Sequence, residues 1–351
     1  MNIAIVNDVY MIRMLLARII HENSVHKVIW DAEDGQIAVE KAQQDTPDLI
    51  LMDLLMPVMN GVDATREIMK LSPCAIVVVT ASVDQYADMV FSAMSHGALD
   101  AISTPTLAPD AGSAGIEPLL HKLRVIDNLI TTCPRSKQQE ENSPITKNIT
   151  PGSSHPMICI GASTGGPGAL ATLLAALPAD LAASIVIIQH VDENFTTGLA
   201  DWLDDQCKLQ VSVAKQGSKA EINKVYIAGG DKHLQLNQNL EFQYTSHPVE
   251  YAYRPSIDIF FHSINQHWPG VTTGVLLTGM GNDGAEGLLA LKNNNVLTIA
   301  QDEATCAVYG MPRAAARLNA ARMILPIEDI AAAIVKTLSQ QKHVPASSAR
   351  C

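Results

Sequence analysis

What most constrains this chain is a repeated alternation of short, unbroken aliphatic runs with amphipathic stretches, interrupted once by a polar segment. From Met1 to about Ile130 the runs are Ile3 to Val6, Val28 to Trp30, Leu49 to Met52, Ile76 to Val79 and Leu99 to Ile102. Between the first two, Ile12, Leu15, Leu16, Ile19 and Ile20 share one helical face while Arg13 and Arg18 face outward. Runs this apolar have no polar side to offer to water, so helices must cover both faces of the sheet, as in doubly wound parallel folds. Five βα units are expected in residues 1–130.

From Thr131 to Pro156 the residues change to Ser, Thr, Pro, Gln, Asn and Lys, with almost nothing to pack, which predicts a flexible linker over 131–156. A second α/β region is expected over 157–339. Its runs are Met157 to Ile160, Ile185 to Ile188, Val211 to Ala214, Val225 to Ile227, Val271 to Leu277 and Leu297 to Ala300, with a polar tail at 340–351. Length agrees: 351 residues suit two domains of ordinary size.

Composition excludes several classes. A net charge of −12 lacks the basic face that a nucleic-acid partner requires, and no basic reading helix follows the linker. No apolar run reaches the roughly 18 to 20 residues needed to span a bilayer, and Met1 to Asp8 is strand-like with no basic flank. No membrane insertion and a cytoplasmic location are expected. The six cysteines lie far apart with no C-x-x-C pair, so neither zinc nor disulfide stapling is indicated.

In the first region the chemistry-bearing residues follow the strands, at the carboxyl edge where open α/β sheets place ligands. Asn7 and Asp8 follow the first run, Asp53 the third, Thr80 the fourth and Thr104-Pro105 the fifth. Asp53 with Asp8 is the arrangement needed to hold Mg²⁺ while a phosphoryl group moves onto a carboxylate, and Thr80 can hydrogen-bond a phosphoryl oxygen. The segment Asp53-Leu-Leu-Met-Pro-Val-Met-Asn-Gly61 resembles the phosphoacceptor signature of response-regulator receiver domains, over roughly the first 125 residues. That likeness implies a flavodoxin-like (βα)5 fold and phosphorylation at Asp53. Receivers usually carry paired acids where this chain has Asn7-Asp8, and a lysine where it has Thr104. The first change weakens Mg²⁺ binding and the second removes the cation that pairs with the phosphoryl group.

In the second region, strand Met157 to Ile160 runs into Gly161-Ala-Ser163-Thr-Gly165-Gly166, followed by a helical stretch from Pro167 to Leu177. The G-x-S-x-G spacing between strand and helix fits a nucleophile elbow, although the same glycine-rich backbone also cradles anions. A Walker lysine is missing, and Ser163 stands where G-x-G-x-x-G has its second glycine. The next strand delivers His190 on the same edge, where a neutral imidazole can take the serine proton. His233 is the rival histidine. The run Val271 to Leu277 leads into Thr278-Gly-Met-Gly-Asn-Asp283-Gly, which supplies a carboxylate to orient an imidazole. Asp283 can equally cap a helix starting near Ala285.

Together, Gly161-Ala-Ser-Thr-Gly-Gly166, Gln189-His190, Arg254-Pro-Ser-Ile-Asp258, Thr278-Gly-Met-Gly-Asn-Asp-Gly284 and Gln301-Asp-Glu-Ala-Thr-Cys-Ala-Val-Tyr-Gly-Met-Pro312 resemble the CheB family of protein-glutamate methylesterases. The likeness covers nearly the whole chain. It implies a Rossmann-like α/β methylesterase domain with Ser163, His190 and Asp283 as triad and the backbone N–H groups of Thr164 and Met280 as oxyanion donors. Catalysis then needs no cofactor. The implied substrate is the methylated cytoplasmic domain of a methyl-accepting chemoreceptor, with glutamine deamidation as a side activity. A CheA-type histidine kinase is the implied phosphodonor, and the receiver is expected to block the Ser163 edge until phosphorylated. Gly229-Gly230-Asp231, where relatives more often have a proline, alters loop shape. Asn7 and Thr104 are the substitutions expected of the branch of that family attached to surface-sensing, Wsp-type arrays. The other reading is a non-enzymatic adaptor that binds receptor or kinase without turnover.

Overall fold

The computed structural model describes residues 1–81, 86–105, 115–131, 154–248, 251 and 253–341. The chain divides into two compact units, Met1–Pro151 and Gly152–Cys351. Most of the expected linker (132–153) and tail (342–351) lies outside the described residues.

The first unit contains β1 (Asn2–Val6), α1 (Tyr10–Asn23), β2 (Lys27–Ala32), α2 (Gly35–Gln44), β3 (Leu49–Met52), α3 (Gly61–Leu71), β4 (Ala75–Thr80), α4 (Ala87–Ser95), β5 (Asp100–Ser103) and α5 (Glu117–Thr131). The strands pair in parallel in the order β2-β1-β3-β4-β5, as five βα units predict. Every residue from Ile3 to Val6 and from Leu49 to Met52 is buried, which is why these runs are continuous rather than alternating. Leu16, Ile19 and Ile20 of α1 and Leu119, Leu123 and Ile126 of α5 pack against β1, β3 and β4. Asp34 and Asn60 start α2 and α3 by accepting hydrogen bonds from Ile37 N and Asp63 N.

The second unit contains β6 (Met157–Ala162), α6 (Gly166–Ala175), β7 (Ser184–Gln189), α7 (Thr196–Gln206), β8 (Gln210–Val213), β9 (Lys224–Ile227), β10 (His233–Leu236), β11 (Phe242–Thr245), α8 (Ile257–His267), β12 (Thr272–Leu276), α9 (Ala285–Asn293), β13 (Leu297–Gln301), α10 (Met311–Arg317), β14 (Met323–Leu325) and α11 (Ile327–Gln341). Seven of these strands form a parallel sheet in the order β14-β13-β12-β6-β7-β9-β8. The chain enters at the centre, builds outward through β7, β8 and β9, then crosses over to lay β12 against the other side of β6. The order therefore reverses between β6 and β12, and the crevice at the carboxyl ends of such strands is where doubly wound sheets bind ligands.

The sequence pattern does not predict two features. The β10–β11 hairpin is antiparallel and separate from the main sheet. Its strands are only four residues long, and they place Leu234, Leu236 and Phe242 in one cluster with Phe260, Phe261 and Ile264 of α8. Strand β14 has three residues, and Met323 and Ile324 are exposed on the sheet edge, so neither burial nor alternation marks it. Helix α6 starts at Gly166, one residue before its pattern predicts, and ends at Ala175, two residues before. No helix among the described residues is long and apolar enough to cross a membrane.

Candidate active site

Three neighbouring strands, β7, β6 and β12, carry His190, Ser163 and Asp283 to one edge of the sheet. Strand β6 ends at Ala162, and Ser163 opens the turn into α6. Gly165 makes that turn with φ +74°, where a Cβ would meet the Ala307 methyl at 2.4 Å. Ser163 N donates to Thr278 O (3.0 Å) and Gly166 N to Ser163 O (2.7 Å), which locks the elbow to the β12 turn. Gly279 is required by closeness: a Cβ there would lie 2.7 Å from Ser163 Cβ. The N–H groups of Thr164 and Met280 make no backbone hydrogen bond among the described residues.

Cross-strand register brings His190 beside Ser163. Ala162 pairs with Gln189, so Ser163 and His190 sit next to each other one step further along strands about 5 Å apart. The Gln189 carboxamide ties both together, donating from Nε2 to Ser163 O (2.8 Å) and His190 O (3.0 Å). His190 Nε2–H donates to Asp283 Oδ2 at 2.8 Å, leaving His190 Nδ1 buried and without a hydrogen-bond partner among the described residues. The lone pair on Nδ1 is thus the one left for a serine proton, the reverse of the nitrogen assignment in the chymotrypsin triad.

Asp283 does not cap α9, whose N-cap is Gly284 in a left-handed conformation. Its carboxylate reaches back to α8, accepting from Ile257 N (2.8 Å), Asp258 N (3.0 Å) and Ser256 Oγ (2.9 Å). Asp258 returns the favour to α9, accepting from Gly287 N at 2.7 Å. The two helices therefore exchange caps through two neighbouring carboxyls. Burial works against ionisation of Asp283, but the hydrogen bonds from His190, Ile257 and Asp258 outweigh it and hold its pKa below the usual carboxylate value. Asp258, by contrast, is pushed up to about 7, by desolvation first and then by the charge of Asp283. The negative charge resides on the carboxylate that faces His190.

His233, the rival, has neither nitrogen free. Nε2–H donates to Pro248 O (3.0 Å) and Nδ1 accepts from Ser256 N (3.1 Å). Burial pushes its pKa down and keeps it neutral. It anchors the segment that leads into α8. Ser256 and Asp258 had no assigned role in the sequence, because their partners lie on another loop. The one local signal was a serine directly before the apolar run Ile257-Asp-Ile-Phe-Phe261, the mark of an N-cap.

In the first unit, Asp53 and Thr80 lie at the carboxyl edge of adjacent strands, with Asp8 close enough for its charge to act on Asp53. Asp53 accepts from Leu54 N (Oδ1, 2.7 Å) and from Asn7 Nδ2 (Oδ2, 2.7 Å), while Asn7 Oδ1 accepts from Val9 N. Where receivers usually place a second acid, this chain places a hydrogen-bond donor. Thr104, which stands where receivers usually carry the lysine, donates its N–H to Thr80 O. No group of three or more His, Cys, Asp or Glu side chains suited to a metal occurs among the described residues. Asp8 and Asp53 still fit Mg²⁺, which usually takes one or two carboxylates and completes its shell with water and phosphate.

Burial raises the Asp53 pKa to about 6, against the lowering effect of the Leu54 and Leu55 N–H groups and with a further push from Asp8. A carboxyl raised in the folded state contributes stability below its unfolded value near 4 and loses it as pH rises through about 6. The wild-type receiver should therefore lose roughly 1 to 2 kcal/mol between pH 4 and pH 8 that Asp53→Asn does not lose, after allowance for solvent screening. Calorimetry of the receiver transition in both full-length proteins measures this; equal pH slopes would refute it.

Comparison with known proteins agrees with this geometry. Residues 158–334 match the family model described as CheB methylesterase, and residues 3–111 match the response regulator receiver domain. The chain belongs to the CheB methylesterase family. It is 49% identical to a protein-glutamate methylesterase/protein-glutamine glutaminase of Cupriavidus metallidurans, over 96% of this chain and 98% of that protein. A Pseudomonas aeruginosa protein of the same description is 46% identical, over 94% and 98% of the two chains. Among solved structures, the catalytic domain of the Thermotoga maritima CheB methylesterase superposes with a TM-score of 0.51 at 35% identity. That match covers 52% of this chain and 99% of that one. In this CheB chain, as expected from sequence, a receiver precedes an α/β methylesterase domain.

Proposed function

We propose that this protein hydrolyses γ-methyl esters of glutamate side chains in the cytoplasmic domain of methyl-accepting chemoreceptors, and deamidates glutamines at such sites. The observation that carries the reading is His190 held by Asp283 beside Ser163, on adjacent strand ends of a family member. Ser163 Oγ attacks the ester carbonyl as its proton passes to His190 Nδ1. The Thr164 and Met280 N–H groups face the developing oxyanion. Collapse breaks the C–O bond, and His190 returns the proton to the departing methoxide, which leaves as methanol. Water, deprotonated by the same nitrogen, then frees the acyl-enzyme as glutamate. With a glutamine substrate the leaving group is ammonia.

Asp53 is the proposed phosphoacceptor, with Thr80 on the phosphoryl oxygens and a CheA-type histidine kinase as donor. Asp8 and Asp53 would hold Mg²⁺, which supplies charge neutralisation for the transfer. The proposed location is the cytoplasm, peripheral to receptor arrays. Asn7 and Thr104 underlie the proposed assignment to the surface-sensing branch.

The test is release of volatile radioactive methanol from receptor membranes methylated at glutamate, using the full-length protein with and without beryllofluoride and Mg²⁺. Release is expected to be proportional to enzyme, with a faster rate under beryllofluoride that Asp53→Ala abolishes. Release no faster than the buffer blank would eliminate the esterase reading. A rate indifferent to beryllofluoride would eliminate control through Asp53 alone.

A further inference from the structure

The geometry points to Tyr253 as a positioning residue for His190. Its ring lies flat against the imidazole, with centroids 4.3 Å apart and planes 8° from parallel. His190 is held by Asp283 at one ring nitrogen only, and a single hydrogen bond leaves an imidazole free to rock about that contact. A flat aromatic surface removes that freedom, because rocking out of plane would break the stack. The Nδ1 lone pair then stays in the plane that Asp283 and Tyr253 define together.

The same side chain reaches the other half of the machinery. A Cβ on Gly281, which has φ +80°, would lie 3.9 Å from both Tyr253 Cε2 and Oη, so the ring edge borders the turn that presents Met280 N–H. Tyr253 therefore spaces the base and the oxyanion turn against each other.

Tyr253 is itself well placed to stay still. Three residues on, Ser256 is fixed through its N–H to His233 Nδ1 and through its hydroxyl to Asp283 Oδ1. On the other side, His233 Nε2 holds Pro248 O, and Tyr251 sets its ring edge-on to His233 at 6.0 Å. One buried, neutral imidazole thus anchors both flanks of the segment that lays Tyr253 on the catalytic one.

This inference rests on the esterase reading. The experiment compares Tyr253→Phe and Tyr253→Ala with wild type in full-length protein, measuring kcat and KM for methanol release, the rate of Ser163 labelling by a fluorophosphonate, and Tm. Labelling forms the Oγ–P bond, expels fluoride and passes the serine proton to His190, so it reports on the base without a receptor. Tyr253→Ala is expected to lower kcat and the labelling rate roughly tenfold with KM and Tm little changed, as a small misplacement of a catalytic group does. Tyr253→Phe keeps the flat ring and should restore most of both rates. Equal rates for Tyr253→Ala and wild type would overturn the inference, as would a Phe variant as slow as the Ala variant, or a loss confined to KM. If wild type itself releases no methanol, the esterase reading fails instead, which keeps the two failures distinct.

Discussion

Ser163→Ala should leave a folded protein that releases methanol from methylated receptors about 10,000 to 1,000,000 times more slowly than wild type. The range is that of serine hydrolases deprived of a nucleophile whose remaining groups still bind and polarise substrate. The fold should not notice. Ser163 is held by its backbone, through Thr278 O, Gly166 N and Gln189 Nε2, none of which needs the hydroxyl. The variant's Tm should stay within about 2 °C of wild type, since no cavity or unpaired group is created. His190→Gln should cost a similar factor, and the double variant little more than either alone, because the two residues act as one unit. A Ser163→Ala protein with more than a tenth of wild-type turnover would show that another group is the nucleophile.

Asp283 should behave differently, losing activity and stability together. Asp283→Asn keeps the shape of the side chain but turns an NH2 toward a site where His190 Nε2, Ser256 Oγ, Ile257 N, Asp258 N and Gly284 N all donate. The imidazole then flips or adopts the other tautomer, and kcat is expected to fall about 10,000-fold. Stability should fall by roughly 1 to 3 kcal/mol, the cost of leaving one or two buried donors without an acceptor. Asp283→Ala takes the carboxylate away from Ile257 N and Asp258 N, leaves only the Ser256 hydroxyl to cap α8, and should unfold at lower denaturant than Asp283→Asn. An Asp283→Asn protein as stable as wild type would mean that the carboxylate does not hold α8 in solution.

How much of this was legible beforehand follows from where each interaction lives. The strands of both sheets other than β14 were readable because buried parallel strands write themselves as unbroken aliphatic runs, and Ser163 and His190 because each stands directly after such a run. Asp283 was legible as a carboxylate at the right edge but not as the cap of α8, since an Asp before a helix gives no hint that it serves another helix 25 residues earlier in the chain. His233 looked like an alternative base until its two nitrogens were seen to be occupied. Tyr253 carries no sequence mark at all: a tyrosine in a loop is ordinary, and only the fold sets it flat on an imidazole 63 residues away by number. The β10–β11 hairpin was hidden for a related reason, because its alternation of Leu234 and Leu236 is too short to stand out from a polar loop.

The central place of β6, between β7 and β12, bears on how this enzyme comes into being. His190 pairs with its neighbour almost as soon as β7 is made, but Asp283 lies 93 residues further along the chain and arrives only with β12, the first strand laid on the other side of β6. Long-range pairings of that kind form late. A nascent chain that has laid down only the first half of the sheet holds a serine and a histidine with no carboxylate to orient them and no Met280 turn. Hydrolytic competence thus waits for the second half of the sheet to begin forming, so catalytic turnover doubles as a gauge of whether the two halves have joined across β6.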